Sequence, residues 1–347
     1  MILPFPEIIY GEINKQNKLL DVLINKRKAF LIADQNTVKC RQLLKGSSLY
    51  KIPYLTLKSG EENKSINQIN EIWNFLNDQK ASRKDIVFLL GGGVICDMGA
   101  FAASTFKRGL DFVNIPTSLL AMVDAAIGGK TGFNFNHFKN NIGNFNHPVK
   151  IFNDVKFLKT LPKKELLSGM AEIFKHAIIS DSSLWNFLKE NSTKNIDYDF
   201  LTKKSADLKI KVVQKDPHEK GIRKSLNLGH TVGHAIESLL LEKETPTMHG
   251  FAVAKGLIVE SFISYKINLS SEQTFLEIKN VLSKFFGQNL NLQIEIPRLI
   301  SLMKGDKKNS NQKINFTLPV SIGNVLIDQE IDSKTVEEII SDFTKND

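Results

Sequence analysis

Through the first half of the chain, short apolar runs end abruptly at turn or polar residues and alternate with helical patterns. KAFLIAD (28–34), DIVFLLGGG (85–93) and DFVNIPTS (111–118) have the length and apolarity of strands buried on both faces of a parallel sheet. Among them lies SINQINEIWNFLNDQ (65–79), with apolar residues at helical spacing. This alternation predicts an α/β unit that binds ligands at the carboxyl ends of its strands. From about residue 162 the period lengthens. Leu166, Met170, Ile173, Phe174, Ala177 and Ile178 form one apolar helical stripe, long helices follow, and KINFTLPVSIGNVLI (313–327) suits a short hairpin before the last helix. The pattern changes near LKTLP (158–162), where Pro162 fits a helix start. The expected organisation is an α/β domain over 1–161 and a mostly α-helical domain over 162–347.

Composition narrows the classes. A chain of 347 residues fits two domains of roughly 150–200 residues each. With 42% hydrophobic and 24% charged residues it reads as globular and soluble. The longest apolar segments are interrupted, for example by Lys255 and Glu260, and MILPFPEIIYGEI lacks the basic start and apolar stretch of a signal peptide. A cytoplasmic protein without a membrane partner is expected. Cys40 and Cys96 are too few for a disulfide framework or a cysteine-built zinc site, so a metal would need His and carboxylates. The net charge of +9 is spread through amphipathic segments without a basic, aromatic-interleaved tract. That argues against nucleic acid and suits a small anionic substrate.

LLGGGVICDMGAF (89–101) runs from a strand through three glycines into a helix. Such a turn brings backbone N–H groups and a helix amino terminus to a phosphate, although a tight structural turn uses the same residues. Cys96 stands where the usual dinucleotide pattern has its third glycine. SGEENK (59–64), after the strand YLTLK, reads as a solvated turn. In AAIGGKTGFN (125–134), two glycines beside Lys130 either carry an ammonium to a phosphate or make a surface loop.

On SGMAEIFKHAII (168–179), Glu172, Lys175 and His176 share the face opposite the stripe, a face that is ordinarily solvated. LNLGHTVGHAIE (226–237) repeats the geometry, with Asn227, His230, His234 and Glu237 on the polar side. Two imidazoles four apart share a zinc ion, divide between roles, or stay solvated. Thr231 stands where a metalloprotease has its glutamate, and Gly229 and Gly233 point to close approach of a backbone or ligand. His249, in TPTMHGFAVAKG, sits at a loop–helix junction. Glu172, His230 and His249 together have the composition of an open catalytic zinc site.

In order, SGEENKS, GGGVICDMGAFAASTFKRG, IPTSLLAMVDAAIGGKTGFN, KNNIGNF, LKTLPKKELLSGMAEIFKHAI, DPHEKGIRKSLNLGHTVGHAIE, MHGFAVAKG and GDKK resemble the 3-dehydroquinate synthase family of sugar-phosphate cyclases, over about residues 30–325. The resemblance implies a Rossmann-like NAD-binding domain, a helical metal-binding domain, an active site in the cleft between them, and a homodimer. NAD would lie against Asp34, Asn36, Ser59, Gly60, Glu61, Glu62, Asn63, Lys64, Gly92, Gly93, Val94, Ile95, Cys96, Asp97, Thr117 and Ser118. Lys130, Lys139, Phe157, Leu158, Lys159 and Thr160 would also be close. Glu172, His230 and His249 would hold zinc, with cobalt as an alternative. Arg108, Asp124, Lys130, Asn140, Lys175, Lys209, Glu219, Arg223, Asn227 and His234 would form the substrate and catalytic set, with Lys307 or Lys308 from the GDKK loop.

The implied substrate, 3-deoxy-D-arabino-heptulosonate 7-phosphate, carries a carboxylate and a phosphate, which accounts for the many cations. Hydride transfer from C5 to NAD makes a ketone that acidifies C6 for phosphate loss, and the hydride then returns. Ring opening and aldol closure give 3-dehydroquinate. His234, with Asn227 beside it on the helix face, would handle protons at the C5 oxygen. Cys96, Met122 and Phe251 depart from residues common in the family, and Phe251 is expected to alter the surroundings of the metal. Rival readings are a cyclase whose sugar phosphate lacks a carboxylate, against which Lys209 and Arg223 weigh, a metal- and NAD-dependent polyol dehydrogenase, and a non-catalytic nucleotide-binding protein.

Overall fold

The apolar runs of the first half become strands of one six-stranded parallel sheet, whose order across the sheet by residue number is 7–10, 150–153, 111–116, 86–91, 29–34 and 54–57. The computed structural model describes residues 5–136, 138–191, 196–292, 295–305 and 312–346; Lys307 and Lys308 lie outside them. The chain divides into two units, Met1–Leu166 and Leu167–Asp347. The division falls just inside the helix that follows Pro162.

The first unit contains β1 (Glu7–Tyr10), α1 (Asn17–Ile24), β2 (Ala29–Asp34), β3 (Tyr54–Leu57), α2 (Ile66–Asp78), β4 (Ile86–Gly91), α3 (Gly93–Thr105), β5 (Asp111–Pro116), β6 (Lys130–Phe135), β7 (Phe138–Phe145) and β8 (Lys150–Asn153). Every residue of β2 and β4 is buried, the mark of central parallel strands covered on both faces. Ile69, Ile72 and Leu76 of α2 join Phe30, Ile32, Val87 and Leu89 of the sheet and Met98, Ala102 and Ala103 of α3 in one apolar cluster. The chain leaves β2 toward β3 on one side and β4 toward β5 on the other, so the crossovers reverse between β2 and β4. That is where a doubly wound sheet opens a ligand crevice.

Where the sequence allows a surface loop around Lys130, the chain instead turns at Gly128 and Gly129, with φ of +101° and +70°, and enters the antiparallel hairpin β6–β7. Its Asn- and Gly-rich strands carry little apolar alternation.

The second unit is mostly helical: α4 (Lys163–Ser180, which begins in the first unit), α5 (Ser182–Glu190), α6 (Tyr198–Lys215), α7 (His230–Glu242), α8 (His249–Lys266), α9 (Glu272–Phe286), α10 (Ile296–Lys304) and α11 (Ser333–Asn346). The expected hairpin is present as β9 (Lys313–Ser321) and β10 (Asn324–Asp332). α4 differs from the expectation of one apolar stripe and one wet face, because all residues from Ser168 to Ile179 are buried. Phe174, for example, packs edge-on against Trp185 and Phe285. Among the described residues no helix is long and apolar enough to cross a membrane.

Candidate active site

In the first unit, local hydrogen bonding shapes the crevice. The Asp34 carboxylate stops β2 by accepting the N–H groups of Asn36 (3.0 Å) and Thr37 (2.8 Å). Thr37 Oγ1 also lies 3.0 Å from the Leu90 carbonyl, tying the ends of β2 and β4 together. Gly92 caps α3, whose first N–H groups and positive dipole end suit an anion. The Thr117 N–H donates to the Gly91 carbonyl at 2.9 Å, which sets Thr117 and Ser118 beside this turn. Cys96 faces inward; burial pushes its thiol pKa well up, so it acts as a small apolar residue. Close helix–strand packing falls to Gly99, where a Cβ would sit 2.6 Å from Leu89 Cδ2.

SGEENK is no simple solvated turn. Lys64 is 3% exposed, and its ammonium lies 2.6 Å from Asp97 Oδ2 while also donating to Asn140 Oδ1. Burial alone would lower the lysine's pKa, but the Asp97 and Glu61 carboxylates hold it above its usual value. Residues expected at NAD and at substrate therefore meet at one ammonium. Asn134, unassigned by sequence reasoning although it lies in GGKTGFN, organises the junction. Its N–H donates to the Lys64 carbonyl (2.8 Å), its Nδ2 to Glu61 Oε1 (2.9 Å), and its Oδ1 accepts the Asn140 N–H (2.8 Å).

Phe157 to Thr160 lie in a 3-10 turn, and Thr160 Oγ1 is 3.3 Å from Cys40 Sγ, on the side of the chain that leaves β2. Lys130 and Lys139 are exposed on the hairpin, and Asp124 lies in a π-turn, Ala121–Ala125. Arg108, expected in the substrate set, lies apart from the glycine turn. It follows the far end of the 13-residue α3, about 20 Å away at 1.5 Å per residue.

In the second unit, Glu172, His230 and His249 converge, with one ligand atom from each lying within 4.8 Å of the others. Glu172 Oε1 lies 3.3 Å from His249 Nε2 and 3.7 Å from His230 Nε2, while Oε2 pairs with the buried Lys175. The other nitrogen of each imidazole has its own partner. His230 Nδ1 is 3.0 Å from the Leu228 carbonyl, and His249 Nδ1 is 2.9 Å from Glu237 Oε2. A carbonyl accepts only from N–H, so His230 carries its proton on Nδ1 and turns the Nε2 lone pair toward Glu172. Burial, reinforced by the Lys175 ammonium, holds His230 well below its usual pKa against the pull of Glu172. Burial would also lower His249, but the Glu237 and Glu172 carboxylates push it up to about 10. One carboxylate and two oriented imidazoles are a donor set for zinc or cobalt, with room for a further ligand.

The helices that carry these ligands touch backbone to backbone. A Cβ on Gly250 would lie 1.9 Å from the Ser168 carbonyl, which brings the start of α8 against α4. A Cβ on Gly256 would lie 2.1 Å from the Gly229 carbonyl, and one on Gly233 3.2 Å from that of Ala252. The glycines flanking His230 thus mark a neighbouring backbone. Glu260, fully buried on α8, accepts the N–H groups of Gly229 and Val232 (3.0 Å for the latter) and caps α7 where His230 begins.

Asn227 corrects an expectation. It lies on the 3-10 turn Ile222–Asn227, off the helix face of His234, because Gly229 at φ +77° breaks the chain before α7. Its amide donates to Glu219 Oε1 at 3.1 Å. Asp216 organises this loop by accepting the N–H groups of Lys220, Gly221 and Arg223. Slight burial opposes ionisation of Asp216, but those three donors outweigh it and keep the pKa low. Lys175, Lys209 and Arg223 are all buried cations. Besides Asn134, the supporting residues to which the sequence assigns no role are Glu237, Glu260 and Asp216; of these three only Glu237 carries a signal, two helical turns from His230.

Two family models match the chain: 3-dehydroquinate synthase N-terminal over residues 54–168 and 3-dehydroquinate synthase C-terminal over 169–309. A 3-dehydroquinate synthase of Parabacteroides distasonis is 40% identical over 326 residues, 92% of this chain and 92% of that one. The chain belongs to the 3-dehydroquinate synthase family. Among solved structures it is similar to a 2-epi-5-epi-valiolone synthase from Streptomyces hygroscopicus subsp. jinggangensis with NAD+ and Zn2+ bound (TM-score 0.85, 22% identity, 99% of this chain and 97% of that one). It is equally similar to a 2-deoxy-scyllo-inosose synthase complexed with carbaglucose-6-phosphate, NAD+ and Co2+ (TM-score 0.85, 22% identity, 96% of each chain). These two likenesses establish the fold.

Phe251 is buried, with its ring 6.3 Å from that of Phe286. Met122 is fully buried. The polar partner of His249 Nδ1 is Glu237. Glu237→Gln keeps an acceptor for Nδ1 but removes the charge, and is expected to weaken zinc binding about 10–100-fold. Competition with a chromophoric chelator measures this, and a change under about threefold, well short of that range, would show that Glu237 does not orient the ligand.

Proposed function

We propose that this chain is a 3-dehydroquinate synthase, converting 3-deoxy-D-arabino-heptulosonate 7-phosphate to 3-dehydroquinate and phosphate, with NAD reduced and reoxidised in each turnover. The reading rests on 40% identity across 92% of both this chain and a 3-dehydroquinate synthase. The structurally similar cyclases with other products are 22% identical.

In the first unit, the turn at Gly92 and Gly93, the start of α3 and Lys64 suit the NAD pyrophosphate, and Asp34 and Asn36 suit a ribose. Glu172, His230 and His249 would hold zinc or cobalt, which supplies Lewis-acid polarisation of a substrate oxygen. Lys175, Lys209 and Arg223 offer fixed cations for a doubly anionic substrate, and Asn227, positioned by Glu219, a neutral donor. His234, exposed on α7, is suited to exchange the C5 hydroxyl proton with solvent. The first unit is read as the NAD-binding domain and the second as the metal- and substrate-binding domain, in a cytoplasmic homodimer with no nucleic-acid or membrane partner.

Protein supplied with NAD, zinc and the heptulosonate phosphate is expected to release phosphate and form 3-dehydroquinate, followed by NMR, without net NADH. Turnover of sedoheptulose 7-phosphate with none of the heptulosonate would assign a different cyclase. Stoichiometric NADH from a simple polyol would assign a dehydrogenase.

A further inference from the structure

His249 faces two carboxylates at once, Glu172 from Nε2 at 3.3 Å and Glu237 from Nδ1 at 2.9 Å. His234 does not join Glu172 and His230 in one donor group, although the rings of His230 and His234 are 5.1 Å apart. It falls instead with Glu237 and His249, and these three also bring one ligand atom each within 4.8 Å of one another. His234 and Glu237 are three apart on α7, so their side chains rise from the same face. His234 is exposed, giving a path from solvent, whereas Glu237 is 9% exposed. Two imidazoles and a carboxylate favour zinc or cobalt over magnesium or calcium.

We propose that His234, Glu237 and Nδ1 of His249 form a second, weaker and inhibitory site for a divalent transition metal. The inference rests on the proposed function only in taking Glu172, His230 and His249 as the primary site. The cation replaces the Nδ1 proton of His249, which passes to solvent, and converts the Glu237 hydrogen bond into a metal bond. The site is weaker because that hydrogen bond is lost and because two cations then share one imidazole. It inhibits because the cation occupies the nitrogen with which His234 would carry a proton.

Titration of the metal-free full chain with zinc chloride, with bound metal read by equilibrium dialysis, is expected to show two equivalents, the second at least about 100-fold weaker. Turnover should rise with the first and fall with the second. His234→Ala should bind one equivalent at wild-type affinity and lose the second. Glu237→Gln should lose the second and weaken the first about 10–100-fold. With cobalt, the visible spectrum of the second equivalent should be missing from both variants. Saturation of the unmodified protein at one equivalent up to millimolar zinc would overturn the proposal, as would a second equivalent unchanged in His234→Ala. Glu172→Ala separates the two readings: loss of the tight equivalent supports the primary site, and its retention refutes that site whatever becomes of the weak one.

Discussion

His230→Ala is expected to lose the metal, whereas His234→Ala keeps it and slows turnover about 10²–10⁴-fold, the range for removal of a positioned proton carrier. The two residues are one helical turn apart, yet their surroundings differ. His230 has its Nδ1 against the Leu228 carbonyl and its Nε2 toward Glu172, so removing it takes one of three converging ligands. The loss should exceed the roughly 10–100-fold typical of a residue that merely orients a ligand. His234 stands outside that group and is exposed. Tight zinc content after dialysis, set beside phosphate release, tests the division. Equal loss of the tight equivalent in both variants would mean that the pair grips one ion.

Gly250→Ala should damage both stability and metal binding. The added methyl would fall 1.9 Å from the Ser168 carbonyl and 2.6 Å from its hydroxyl oxygen, both in α4. Neither helix can yield alone, because the Gly250 N–H also donates to Ser168 Oγ at 3.0 Å. Relief requires α4 and α8 to part where Glu172 and His249 face each other. Overpacking of this kind costs about 1–3 kcal/mol or more, worth about 2–4 °C of Tm per kcal/mol in a unit of this size. Calorimetry together with zinc competition checks both effects. A variant with wild-type Tm and affinity would show that the two backbones do not approach so closely.

The parallel strands were legible because burial on both faces leaves unbroken apolar runs, as in β2 and β4. The hairpin β6–β7 was not, since its strands are held by backbone pairing and by Asn134 and carry little hydrophobic alternation. Helical spacing put Glu172, Lys175 and His176 on one face, but periodicity cannot tell a wet face from one enclosed by neighbouring helices. Their burial came from tertiary packing. Helical spacing puts Asn227 on the face of His234, whereas α7 begins at His230, because Gly229 adopts a left-handed conformation that spacing alone does not reveal. Glutamates that support from behind, such as Glu260, look in sequence like any other charge on a helix.

The ammonium of Lys64 binds two parts of the chain together, Asp97 on α3 and Asn140 on the hairpin, while Asn134 fastens the hairpin to Glu61. A ligand anion that takes the donor now given to Asn140, rather than the third N–H of the ammonium, weakens its hold on the hairpin. Whatever free energy one ligand spends or gains there is returned, by thermodynamic reciprocity, in the affinity for any ligand that uses Asn140. The order in which two molecules arrive then leaves the total unchanged, while the first to arrive meets Lys64 with both of its present partners.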